Sequence, residues 1–331
     1  MTVTLTDTHI AHRRPTALVT GCAGFLGSHL AEALLARGWS VVGVDSFSDY
    51  YARSLKERNL ARLRGTAGFR LRELDLAEHE LDGLLDGIEV VFHLAAQPGV
   101  RGSFGEGLAT YLARNVRATE RLLSQAARAD LEAFVYASSS SVYGDQPRYP
   151  VTEDAAPAPV SPYGATKVMT EQLAGAYWRA HGVPVVGLRY FTVYGPRQRP
   201  DMAFSRFVEC ALDRRPIPVL GDGRQVREFT YVDDVVAATM AAAEHGERGG
   251  VYNVGGGEPV SVLDAIAVLE SLVGRKLLVQ FGPAGRGDPR CTHADVRRAQ
   301  RDLGFEPRTQ LIDGLGRQVR SEDGRIAEAV A

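Results

Sequence analysis

Lysine is nearly missing from this chain. Of 38 basic residues in 331, only Lys56, Lys167 and Lys276 are lysine, and the rest are arginine. Cysteine is almost as scarce: Cys22, Cys210 and Cys291 lie far apart and form no CxxC or CxxH spacing. That argues against a zinc site and a disulfide framework and suits a reducing cytoplasm. No HExxH occurs among the eight histidines, so no metal centre is expected. No apolar run approaches the roughly 18 residues of a membrane span. The opening MTVTLTDTHIAHRRP has no apolar core of a secretory signal. A net charge of -2 leaves no positive excess for nucleic acid.

What is present is ordinary globular material, 45% hydrophobic and 24% charged, long enough for one large domain or two intimate ones. The first half alternates β-rich runs with helical patterns. Strands are expected over TALVT (16–20), VVGVD (41–45), FRLREL (69–74), EVVFHLA (89–95), AFVYAS (133–138) and VPVVGLRYF (183–191). Several are continuously apolar, as parallel strands buried on both faces must be. The pattern predicts an α/β fold, a doubly wound parallel sheet of Rossmann type, with a smaller α/β substrate-binding lobe. Residues 15–191 should form the NAD-binding domain, with segments returning near 228–256, where VYNVGGG offers a further strand. Residues 192–318, broken by proline- and glycine-rich pieces, should form most of the lobe. Residues 1–14 and 319–331 read as tails.

TALVTGCAGFLGSHL sets Gly21, Gly24 and Gly27 between a strand and a helix, with Phe25 and Leu26 inside the turn. Glycines there let the backbone approach a pyrophosphate, which the helix N-terminus favours. Asp45 follows about 20 residues later, where an acid bonds the adenosine ribose and disfavours a 2′-phosphate, so NAD is the expected cofactor. Cys22, inside the loop, reads as a space-filler.

SPYGATK (161–167) puts Tyr163 and Lys167 on one helical face, with Ser161 as N-cap and Gly182 ending the helix near His181. A nearby ammonium and the positive nicotinamide ring should lower the phenol from its usual value near 10 toward working pH. A compact three-donor lysine also reaches a ribose in a way arginine's planar fork does not. In a chain that nearly always chooses arginine, that points to a chemical role for Lys167. The serines of YASSSSVYG (136–144) follow a strand, either as hydroxyl donors to a sugar or as a plain turn.

Taken together, GCAGFLG, Asp45, SSSSVYG and SPYGATK resemble the extended short-chain dehydrogenase/reductase superfamily in its nucleotide-sugar epimerase branch. The resemblance runs from about residue 15 to 310. It implies that Ser139, Tyr163 and Lys167 are catalytic. It places Asp75 and Leu76 by the adenine, Leu94, Ala95, Ala96 and Gln97 along the cofactor, and Asn115 and Tyr190 around the pocket. NVRAT departs from the family's NVxGT, with Ala118 for glycine. In the second lobe the resemblance assigns Arg227, Arg286 and Asp288 to the diphosphate and ribose of a UDP-sugar.

Within that branch, Ser140 and Ser141 stand where 4,6-dehydratases carry Asp-Glu. Ser141 also stands where UDP-glucuronate decarboxylases carry glutamate, and Thr192 where UDP-glucose 4-epimerases carry asparagine. DSFSDYYARSLK, HLAAQPGVR and LRYFTVYGPRQRPDMAFSRF are most similar to UDP-glucuronate 4-epimerases. That resemblance implies a sugar carboxylate held by Ser140, Ser141, Thr192 and Arg199, and a homodimer built through helices around 106–128 and 163–180. UDP-glucose 4-epimerase, UDP-glucuronate decarboxylase and a non-catalytic dinucleotide-binding protein are the alternatives.

Overall fold

The computed structural model describes residues 14–330 except Glu258, Arg286 and Asp288. Its centre is a seven-stranded parallel sheet. The first six strands in the chain are β1 (Thr16–Thr20), β2 (Ser40–Asp45), β3 (Phe69–Glu73), β4 (Val90–His93), β5 (Ala133–Ser139) and β6 (Val185–Tyr190). They stand in the order 3-2-1-4-5-6, that of a doubly wound dinucleotide-binding sheet. Beyond β6 come β7 (Thr192–Tyr194), β8 (Ile217–Leu220), β9 (Val226–Tyr231) and β10 (Val251–Val254). Strand β10 returns to the main sheet and pairs with β6, Val254 opposite Tyr190.

Successive strand residues feed two different cores, which is why these strands read as unbroken apolar runs. Ala17 and Val19 pack on one face with Leu30 and Leu34 of α1 (Phe25–Ala36). Leu18, between them, packs on the other face with Val42 and Val91. Helix α2 (Arg53–Asn59) follows β2, and α3 (Leu108–Tyr111) runs through a π-helical turn into α4 (Ala118–Ala126). Leu122 and Leu123 of α4 cover the second face together with Ala174 of α5 (Pro162–His181). After it come α6 (Ala203–Leu212), α7 (Val232–His245) and α8 (Val262–Val273).

Outside the sheet, β9 is the centre of a small sheet with β7, β11 (Pro259–Ser261) and β13 (Cys291–Thr292), and β12 (Val279–Gly282) pairs with β8. Helix α9 (Arg297–Leu303) precedes α10 (Leu311–Val330).

Two expectations need correction. The fourth strand stops at His93, not Ala95, because the Leu94 and Ala95 amides leave the ladder and donate to the Thr20 hydroxyl, both at 3.1 Å. The 319–331 segment is not a tail in its described part, since α10 runs on through it to Val330. Val319 packs on the core and Glu322 is buried, which the polar run SEDGR conceals. Of the expected tail 1–14, residues 1–13 lie outside the described residues. Among the described residues no helix is long and apolar enough to cross a membrane.

Candidate active site

The strand order reverses between β1 and β4, and there the carboxyl ends of the strands open onto a cavity of about 430 Å³. Ligands of open α/β sheets bind at such a point. One end is lined by Gly21, Gly24, Phe25, Leu26 and Gly27 from the β1–α1 turn, by Asp45, and by Asp75 and Leu76 after β3. The turn cannot take a side chain. Gly21 has φ +69°, and a Cβ on Gly27 would sit 2.1 Å from the Gly21 carbonyl oxygen. Cys22 is fully buried with its thiol pushed up by burial, consistent with an inert filler.

The Asp45 carboxylate accepts from the Ala23 and Phe47 amides at 3.1 and 2.8 Å, and Lys56 Nζ lies 3.4 Å from it. Lys56 is buried, also reaches Ser48 at 3.3 Å, and stands over the Tyr51 ring at 5.1 Å. Sequence reading gave this lysine no role, although its rarity was the signal. Leu94, Ala95 and Ala96 form the adjoining wall. Gln97 and Asn115 do not line the cavity. Asn115 accepts from the Gln97 amide at 2.7 Å and donates to Gln97 O at 3.1 Å and to Thr166 Oγ1 at 3.0 Å, tying the wall to α5.

Farther along, Ser139, Tyr163, Lys167 and Tyr190 share the cavity. Ser161 caps α5 by accepting from the Gly164 amide, and Gly182 closes the helix in a left-handed conformation, as the sequence predicts. That cap fixes Tyr163 and Lys167 one turn apart. Tyr111 braces the Tyr163 ring edge-on at 6.2 Å and is itself held by the Pro98 and Gly99 carbonyls at 2.8 and 2.7 Å. Ser139 Oγ accepts from the Ser141 amide at 3.1 Å, which leaves its own proton to donate into the cavity. Lys167 Nζ donates to the Ala137 carbonyl at 2.8 Å and lies 6.0 Å from the centre of the Tyr163 ring. Tyr190 turns its hydroxyl away, to Thr239 at 2.8 Å.

Burial pushes Tyr163 above its ordinary value, and the opposing pulls, a hydrogen bond with Ser139 and then the Arg199 charge, are smaller. Lys167 is lowered to about 8 by burial, with the Glu171 carboxylate holding it up.

At the far end the cavity is lined by Ser140, Ser141, Thr192 and Arg199. Asp201, which the sequence did not single out, grips Arg199 in two bonds of 3.0 Å, and Tyr50 donates to the same carboxylate at 3.2 Å. Arg227 lies on β9 off the cavity, donating to Val226 O at 2.7 Å and Pro289 O at 2.6 Å. Arg286 and Asp288 lie outside the described residues.

One cavity thus runs from the glycine turn past Tyr163 and Lys167 to Arg199, and the whole chain is similar to known proteins. A Bacillus subtilis (strain 168) protein, named as an uncharacterized UDP-glucose epimerase YtcB, is 42% identical over 304 residues, 91% of this chain and 96% of the relative. A UDP-glucuronate 4-epimerase of Thermodesulfobacterium geofontis is 37% identical, covering 91% of this chain and 94% of its own. The crystal structure of UDP-glucuronic acid 4-epimerase from Bacillus cereus with UDP-glucuronic acid and NAD superimposes with a TM-score of 0.91 at 42% identity. It covers 94% of this chain and 99% of that one. Residues 17–255 match the profile of the NAD dependent epimerase/dehydratase family, and the chain belongs to that family.

Proposed function

We propose that this enzyme is an NAD-dependent isomerase that interconverts UDP-glucuronate and UDP-galacturonate at C4 of the sugar. The carrying observation is the wall facing Tyr163. It is built of Ser140, Ser141, Thr192 and Arg199, hydroxyls and a guanidinium suited to a carboxylate, with none of the acid-base pair that dehydration needs. Residues from the glycine turn, Asp45 and Lys167 fit NAD, which supplies reversible hydride acceptance at C4 when bound. Tyr163 takes the proton from the 4-hydroxyl and later returns it. Ser139 shares that hydrogen bond, and Lys167 steadies the phenolate charge. Because the intermediate sugar is a 4-ketone next to the carbon bearing the acid, a carboxylate clamp also keeps the C5–C6 bond out of line with the carbonyl and so opposes loss of carbon dioxide. In this reading Arg227, Arg286 and Asp288 bind the diphosphate and ribose of the UDP, and Arg227 is braced by its bond to Pro289 O at 2.6 Å.

Asp201 favours a second reading. A guanidinium already bound twice by a carboxylate has less charge to offer a substrate acid, which suits a neutral UDP-hexose. Proton NMR of the protein with NAD and either UDP-glucuronate or UDP-glucose separates the two. UDP-galacturonate without pentose or accumulating NADH is expected. Turnover of UDP-glucose alone would overturn the acid specificity, and carbon dioxide release would point to decarboxylation.

We also place the protein in the cytoplasm, with its three free cysteines, as a homodimer. Leu108, Leu112 and Met169 on the helical run 108–126 and on α5 are large, apolar and exposed, which supports pairing of those helices.

A further inference from the structure

Tyr163, Lys167 and Glu171 follow one another at four-residue spacing on α5 and so share one helical face. Glu171 has no part in the chemistry above, yet it is a buried carboxylate next to the active-site lysine. Its two oxygens are fully engaged. Arg189 on β6 binds it with Nε at 2.8 Å and Nη2 at 2.7 Å, and the Ser138 hydroxyl donates at 2.5 Å. Arg189 is fixed in turn by the Tyr143 hydroxyl at 2.7 Å and the Glu153 carbonyl at 3.0 Å. We infer that Glu171 is a positioning residue for Lys167, a rigidly held negative charge that keeps the ammonium protonated and directed along the face it shares with Tyr163.

The surroundings leave Glu171 that task. From β4 the neighbouring titratable group is His93, held by Thr20 and Thr119 at 2.8 and 2.9 Å. Burial, and then the Lys167 charge, keep it neutral, with a value near 3. From β5 come the Ala137 carbonyl dipole and Tyr136, whose phenol is pushed up by burial and then by the Glu171 charge and so stays neutral. On α5, burial raises Tyr163 and so disfavours its phenolate, the form that the proposed proton transfer needs Lys167 to steady. Arg189 on β6 is paired with Glu171 at 2.7 and 2.8 Å. Burial works against the charged lysine, and Glu171 is the group that opposes it.

The rarity of lysine makes a direct test practical. Lysine-selective 13Cε NMR of the NAD-loaded protein gives signals from only Lys56, Lys167 and Lys276, and Lys276 is an exposed reference. The Lys167 signal should titrate below the ordinary lysine range in the parent protein, because burial disfavours its charge. In Glu171→Gln its midpoint should drop by roughly one unit or more, and Glu171→Asp should fall in between, which also serves if the Gln variant does not fold. Ser138→Ala, which removes a bond to Glu171 and leaves its charge, should keep the midpoint. An unmoved Lys167 in Glu171→Gln, or an equal drop in Ser138→Ala, would reduce Glu171 to a packing role. The alkaline limb of kcat/KM should move to lower pH with the NMR midpoint. That arm rests on the proposed epimerisation and fails separately if the substrate is wrong, whereas the lysine titration does not depend on turnover.

Discussion

At the residue scale, the reacting geometry depends on single atoms. Tyr163→Phe keeps the ring that packs on Tyr111 and removes the oxygen paired with Ser139. Steady-state assays should show kcat reduced on the order of 10²–10⁴-fold with NAD binding retained; a loss of less than tenfold would move the proton transfer to another group. Arg199→Met tests the acid clamp. KM for UDP-glucuronate should rise at least about tenfold, the loss of one charge-assisted bond, while any turnover of UDP-glucose stays the same. Equal effects on both sugars would show that Arg199 shapes the pocket without reading the carboxylate. Ser140, Ser141 and Thr192 could be singled out because each stands at a position where related enzymes differ in chemistry, and Arg199 because it lies in a run similar to UDP-glucuronate 4-epimerases; the fold brings all four to one cavity. Asp201 could not, since an aspartate in a loop after proline looks like any exposed turn residue, and only the fold brings Tyr50 across to it. Lys56 was equally hidden because its partner, Asp45, reaches it through a loop whose path the sequence does not specify.

At the scale of elements, the strand–turn–helix of the cofactor end and the capped helix α5 do the positioning. A Cβ at Gly27 meets backbone at 2.1 to 2.9 Å, so the β1–α1 turn must open to admit it. Gly27→Ala should lower stability by about 1–3 kcal/mol and weaken NAD binding measured by calorimetry; unchanged affinity would mean the turn does not carry the pyrophosphate. Ser161→Ala removes a cap two residues before Tyr163, costing about 1 kcal/mol in thermal unfolding, and should lower kcat by fraying the turn that holds the phenol. These elements were readable because glycine, serine and proline mark positions by local backbone rules, and the parallel strands were readable because both of their faces are buried. Readability ended where local signals did. β4 stops early because a threonine hydroxyl on β1 takes two of its amides, a tertiary event. The strands around β9 are two to six residues long and sit among prolines and glycines, too short to show a period. α10 hid behind a charged stretch whose buried side is set by the lobe it packs on.

At the scale of the whole molecule, the lobe and the sheet meet at buried polar groups. Asn253 on β10 donates to Val151 O at 2.9 Å and Asp295 O at 3.2 Å. Glu228 on β9 is 1% exposed and accepts from the Ala294 amide at 2.8 Å and from the Gly256 amide. Those two donors do not compensate its burial, which raises the carboxyl to about 7. A carboxyl raised in the folded state binds more protons there than in the unfolded chain, so its contribution is complete below the unfolded value and is lost as pH rises through the folded one. Between about pH 4.5 and 7 the native protein should therefore lose about 2–4 kcal/mol relative to Glu228→Gln, which carries no titrating charge at the junction. Chemical denaturation at several pH values across that window measures the difference directly. Parallel curves for the two proteins would mean that Glu228 is already ionised at the low end, held by the Ala294 and Gly256 amides as an anion. Curves that meet below about pH 4.5, separate up to about pH 7 and run parallel above it would make the lobe junction a point where rising pH loosens the enclosure around the substrate.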